Sequence, residues 1–234
     1  MPKRKEQLTN KIRPYHILSK AVEGKEIFEH EEDQARFVFQ MFAANIGKPV
    51  INLYRKNIFQ VSNTILYGEE IPNGFVIKEH DPLVHLFSFV LSKDRYHLGL
   101  VAAKKDGIPL YMQKLNLGFA KYYNLKNKRR GTLFDGRFKA VSIVNPKQLE
   151  SVVKYINIKK VLDHYKHDTL LEYPYSSFPD LFGTRASHLI SEEGRTNLLQ
   201  LLGEEFFAKR QDYTSHIEDL NEDGRRLFFG TKSY

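Results

Sequence analysis

The chain of 234 residues contains no cysteine. That removes disulfides, thiolate catalysis and cysteine-ligated metals from consideration. No apolar run reaches the length of a membrane span. There is no glycine-rich phosphate loop of the P-loop type, and no serine-hydrolase elbow. The N-terminal stretch MPKRKEQLTNKIRP is basic, but no apolar region follows it, so a signal peptide is not expected. A soluble, cytoplasmic protein without a membrane partner is the plain expectation.

What is present is positive charge. The formal net charge is +8, which favours a polyanionic partner, most often nucleic acid. The charge concentrates in KYYNLKNKRRGTLFDGRFKA, which carries Lys121, Lys126, Lys128, Arg129, Arg130, Arg137 and Lys139. Tyr122, Tyr123, Phe134 and Phe138 are interleaved with them. Cations neutralise phosphates and aromatic faces stack on unpaired bases, so these residues are candidates for DNA binding. A solvated basic loop beside core aromatics fits the same composition equally well.

Apolar periodicity outlines the elements. PYHILSKAVEGKEIF alternates and breaks at Gly24, a strand and turn. HEEDQARFVFQMFAANIG has acids in its first turn and a helical apolar pattern. A short helix is expected around Ile58, Val61, Ile65 and Leu66, then a strand in FVIKEH before the Asp81-Pro82 turn. Leu83–Leu91 and YHLGLVAAKK read as an antiparallel hairpin. A helix is expected from near Pro109, a strand in FKAVSIVN, and a helix beginning at Pro146, a favourable first position. Strand, helix, strand pair, helix, strand, helix describes an α+β fold. The expected form is an antiparallel sheet with helices packed on one face, compatible with a ferredoxin-like arrangement. After Gly183 the composition turns acidic and amphipathic, so a boundary is expected there.

Between the hairpin strands lies SKDRYHLG, which sets Arg95 and His97 two residues apart and therefore on one face of a strand. Taken alone, His97 reads as a hydrogen-bonded structural histidine. Tyr155 reads as a helix residue packed on the sheet. The cluster LDHYKHD, with Asp163, His164, His167 and Asp168, reads as an exposed helix end in preference to a metal site.

From about Tyr15 to Gly183 the chain resembles the single-tyrosine HUH transposases, in particular the REP-associated tyrosine transposase branch. The resemblance rests on YHILSKAVEGKEIF, EHEEDQARF, FVLSKDRYHLGL, YMQKLNLGFAKYYN, GTLFDGRFKAV, VVKYINIKK and YPYSSFPDLFG. It implies a ferredoxin-like HUH domain over 1–183, with its core at about 13–183; the acidic, amphipathic residues 184–234 read by composition as a helical C-terminal extension. It also implies cleavage and rejoining of single-stranded or hairpin DNA through a 5′-phosphotyrosine, as in DNA transposition. In similar proteins a magnesium or manganese ion is held by two strand histidines and a polar residue one turn beyond the tyrosine.

Carried over by position, the resemblance places Tyr155 at the nucleophile and His97 at the second histidine. Arg95 stands where the first histidine is expected. Lys159 stands where the polar ligand, usually the asparagine of an Asn-Pro pair, is expected, and Lys160 replaces the proline. Neither a guanidinium nor a protonated lysine ligates a cation. A weak or absent metal site is therefore expected, with His97 the one retained ligand position. Arg95 and Lys159 could instead meet and hold phosphate directly. Two functions stay open: a strand transferase with a remodelled site, or a DNA-binding protein that has lost catalysis. A homodimer is also open.

Overall fold

The computed structural model describes residues 13–45, 57–72, 75, 81–159 and 171–202. Among these, four strands form one antiparallel sheet: β1 (Pro14–Lys20), β2 (Val84–Ser92), β3 (Arg95–Ala102) and β4 (Lys139–Ser142), in the order β2-β3-β1-β4. β1 and β2 run the same way with β3 between them, as in the split βαβ unit of ferredoxin-like folds. The fold is α+β. The strand expected in FVIKEH lies outside the described residues, apart from Phe75.

Two helices follow the split crossovers onto one face of the sheet, α1 (Glu31–Asn45) and α3 (Gly107–Lys126). The helix α2 (Ile58–Tyr67) packs outside α1 and ends at Gly68, whose φ of 70° is the left-handed conformation that suits glycine. The core between sheet and helices is aromatic. Phe37 packs edge-on to Phe28 and Phe119, with Tyr96 4.7 Å from it and Phe134 beyond. Edge-to-face packing of this kind adds about 1 kcal/mol per pair to the gain from burial.

α1 and α3 are also tied by charge. The Tyr122 hydroxyl donates to Asp33 Oδ1 at 2.8 Å, and Lys126 Nζ donates to the same oxygen at 2.7 Å. Arg36 lies 5.3 Å over the Tyr122 ring. Burial first, and then Asp33, push the Tyr122 phenol far above its ordinary range.

Sequence pattern alone places the helices on one face, and the structure corrects this. The π-helical segment Tyr155–Lys159 packs on the opposite face, over β2 and β3, and α4 (Pro146–Lys154) runs into it. Asn145 starts α4 by accepting a hydrogen bond from the Gln148 N–H, while the Gln148 side chain accepts from Val144 N, both at 2.9 Å. Two further helices, α5 (Phe178–Phe182) and α6 (Glu192–Leu202), complete the described chain. α6 packs on β2 and α4, and Gly194 is so close to the Leu86 carbonyl that a Cβ would stand 2.3 Å from its oxygen. The first turns after Gly183 are therefore seated on the same sheet as the rest.

The outer edge of β2 is covered. Leu91 N donates to Tyr175 O and Ser177 N to Phe89 O, so residues 173–177 occupy an edge that would otherwise invite pairing with other chains. A buried ion pair fastens this cover: Arg185 donates to Asp180 Oδ2 and to the carbonyls of Pro174 and Ser176.

Candidate active site

Strand alternation puts His16, Leu18 and Lys20 of β1 on the face opposite α1 and α3. The pairing register sets Leu18 against His97, His16 against Gly99 and Lys20 against Arg95. His16 and His97 are therefore diagonal neighbours on adjacent strands. His16 Nε2 stands 3.0 Å from His97 Nδ1, and the rings stack at 5.2 Å. Both are buried, at 4% and 1% exposure. Gly99 gives this row its space: the Phe87 ring occupies the place a Cβ would take, 2.4 Å from it.

Tyr155 closes over the pair. Its ring meets His16 edge-on at 5.9 Å and His97 at 5.5 Å. It is buried, and it opens the π-helical segment at the end of α4. A π turn inserts one extra residue and re-aims the side chains around it, and such turns are frequent at functional sites.

Asn157, fully buried, provides a local cause for this turn. Its Nδ2 donates to the Val153 carbonyl at 2.8 Å, an oxygen that an α-helix would reserve for backbone. Nδ2 also donates to Ser88 Oγ at 2.7 Å, and Oδ1 accepts from Ser177 Oγ at 2.6 Å. The segment bearing Tyr155 is thus fixed both to β2 and to the strip covering its edge.

Burial holds the His16 imidazole down at about 4, so it is neutral at ordinary pH. Across 3.0 Å one of the two ring nitrogens donates to the other, the direction being set by the tautomers. The same two nitrogens could serve one divalent ion only if this hydrogen bond opened and both lone pairs turned toward it. Among the described residues no group of three or more His, Asp, Glu or Cys side chains converges as a metal site.

The sequence reading leaves His97 as the one imidazole; the structure adds a second, from another strand. Arg95 does not occupy that place. Its guanidinium grips Asp94, with Nε and Nη2 donating at 2.7 and 2.8 Å, at the start of β3. Lys159 ends the π-helical segment, and its side chain lies outside the described residues, so the meeting of Arg95 and Lys159 does not enter the site's geometry. Lys160 and the LDHYKHD cluster also lie outside them.

The basic segment divides in two. Lys121, Lys128, Arg130, Arg137 and Lys139 are exposed. Lys126 is committed to Asp33 and Glu32, and Arg129 to Asn124 and the Thr132 carbonyl. The interleaved Tyr122, Tyr123 and Phe134 are core residues, the second of the two readings that the composition left open; Phe138 is half-buried. His16 and Asn157 carry the site without having been singled out by sequence. The available signal for His16 was its parity on an alternating strand.

Neither the family models nor the curated proteins yield a match to this chain. Among solved structures, a REP-associated tyrosine transposase bound to a REP hairpin is similar, with 12% identity and a TM-score of 0.45. That likeness covers 83% of this chain and 93% of the other. No helix among the described residues is long and apolar enough to cross a membrane.

Proposed function

We propose that this chain acts on single-stranded or hairpin DNA as a transposase-like strand transferase with Tyr155 as nucleophile. The observation that carries the reading is the packing of Tyr155 against the buried, hydrogen-bonded pair of His16 and His97. The sequence resemblance to single-tyrosine HUH transposases supplies the reaction class. In that reaction the Tyr155 oxygen forms a bond to the scissile phosphorus and the bond to the 3′ oxygen breaks. The DNA keeps a free 3′-hydroxyl, its oxygen taking up a proton, and the phenol proton is lost to solvent. The 5′ end stays on the protein as a phosphotyrosine, and attack by another 3′-hydroxyl reverses the exchange.

A phenol is a weak nucleophile, and charge accumulates on phosphorus and on the leaving oxygen. His16 and His97 would be the residues to hold a divalent ion, once their mutual hydrogen bond opened. When bound, such an ion supplies Lewis-acid stabilisation of that charge. The protein's own contribution is to hold Tyr155 in place through the π turn and Asn157, and to keep the His16 imidazole neutral through burial.

The second reading is a DNA-binding protein without catalysis. It is favoured by the 8% exposure of Tyr155, which must swing outward to meet a phosphate. Incubation with labelled hairpin single strands, with and without Mg²⁺ or Mn²⁺, separates the two. A covalent adduct that disappears in Tyr155→Phe supports the enzyme. Tight binding without adduct in any metal supports the binder, and neither binding nor adduct removes both.

A further inference from the structure

The site face of the sheet carries a row of cations leading away from Tyr155. Lys20 and Arg95 are register partners, two residues beyond Leu18 and two before His97 respectively, so all four share the site face. Lys139 of β4 pairs with Leu18 from the other side, which puts it on that face too. Arg95 therefore lies about 7 Å along β3 from His97, and Lys139 about 10 Å across the sheet from it.

Among the described residues the helices on this face lie mainly over β2 and β3, and reach β1 at His16 through Tyr155, so the Lys20 and β4 end carries less of their cover. Lys20 and Leu18 are half-buried, and Lys139 is exposed and has no ion pair among the described residues. Asp94 sits behind Arg95 and reaches Lys20 at 3.8 Å, tethering both.

The basic loop after α3 meets the same end of the sheet. Asp135 N donates to Lys20 O at 2.8 Å and Val22 N to Leu133 O at 3.0 Å, so the loop runs beside the end of β1. Arg137 stands two residues before Lys139 and is exposed, as are Arg130 and Lys128 further back. The carboxylates at this end, Asp94, Asp135, Glu23 and Glu26, are fewer than the cations Lys20, Arg95, Lys139, Arg137, Arg130 and Lys128.

We propose that Lys20, Arg95 and Lys139 form a phosphodiester track for single-stranded DNA, leading from the Tyr155 site toward the loop bearing Arg137, Arg130 and Lys128. The track rests on the proposed DNA substrate and gives it a direction. Arg95 is on this view a clamp for a neighbouring phosphate, oriented by Asp94. A row of point charges without an exposed core aromatic binds backbone in preference to base, so sequence preference must arise elsewhere.

The test uses the full chain and a fluorescein-labelled single-stranded oligonucleotide, with anisotropy titrations between about 50 and 200 mM salt. Each phosphate contact on a single strand contributes about 0.7 to the slope of log K against log salt. Lys20→Ala, Arg95→Ala and Lys139→Ala are each expected to flatten the slope by about that amount. Lys104→Ala with Lys105→Ala, exposed beyond the far end of β3, is expected to leave it unchanged. Lys139 is exposed, so its variant reports even where Arg95→Ala fails to fold. Wild-type slopes in Lys20→Ala and Lys139→Ala, an equal loss in the Lys104/Lys105 variant, or no oligonucleotide binding by the wild type would each overturn the track. Expected slopes with no covalent adduct in any metal would sink the strand-transfer reading alone.

Discussion

His16 on β1 and His97 on β3, 81 residues apart in sequence, bring Nε2 and Nδ1 to 3.0 Å beneath the Tyr155 ring. Either imidazole alone is a single nitrogen donor in a buried site, so the pair works as a unit. Adduct formation with hairpin DNA is expected to fall at least about 100-fold in His16→Ala and in His97→Ala, the scale of losing control over a metal site. The double variant should be little worse than either single one. Mn²⁺ titration followed by electron paramagnetic resonance should lose the same site in all three. Undiminished adduct formation by His16→Ala would remove His16 from the chemistry.

His16 also makes stability depend on pH. Burial lowers the His16 pKa from 6.5 to about 4, so the unfolded chain takes up its proton first as the pH falls. The contribution is fully present above pH 6.5 and is lost progressively as the pH falls toward 4. The loss by pH 4.5 amounts to about 2 kcal/mol. Urea unfolding at pH 7 and pH 4.5 should show a smaller difference for His16→Gln than for the wild type by about that amount. The comparison cancels the carboxylates common to both proteins. Equal differences in the two proteins would mean that His16 is not held neutral by the fold.

The Arg185–Asp180 pair, with both side chains 4% exposed, anchors the strip that covers β2. Removing one partner leaves a buried charge without compensation. Asp180→Ala should therefore cost about 3–5 kcal/mol. A chain of this size then melts roughly 10 °C lower. Because Asp180 Oδ1 also accepts from Ser187 N, hydrogen exchange should quicken at Ser187 and along 173–177 before it does in β1 or β3. A drop no larger than that of a surface substitution would show that the strip is held without the pair.

The βαββαβ order was legible because each element carries its own period. Alternation marked PYHILSK, acids in the first turn marked α1, and Asn145-Pro146 marked the start of α4. The histidine pair was hidden for a physical reason. A two-histidine motif on one strand is visible as spacing, whereas His16 and His97 meet through the register of β1 against β3, which no local pattern encodes. The aromatics of α3 were ambiguous because charge and apolar surface alternate on that helix. Only tertiary packing shows that Tyr122 and Tyr123 face α1 and the core, while Lys121 faces out. The π turn was hidden too, since YINIK reads as continued helix until Asn157 is seen bonded to Val153, Ser88 and Ser177.

Asn157 supplies the sharpest separation between holding the nucleophile and holding the fold. Its amide bonds both Ser88 and Ser177, and Asn157→Ala leaves those hydroxyls without it, at a cost of about 2–3 kcal/mol. Loss of stability alone would be a structural result. The π turn predicts more: with Val153 O released, the segment can relax toward α-helix, and Tyr155 then rotates away from the imidazoles. In Asn157→Ala the nuclear Overhauser contacts between the Tyr155 ring and the His16 ring should weaken, and adduct formation should slow by at least about 10-fold. Oligonucleotide affinity should stay within twofold, since Lys20, Arg95 and Lys139 lie on strands that the substitution does not touch. A variant that loses stability but keeps the ring contacts and the adduct rate would assign Asn157 to packing only, and the aim of Tyr155 to the sheet beneath it.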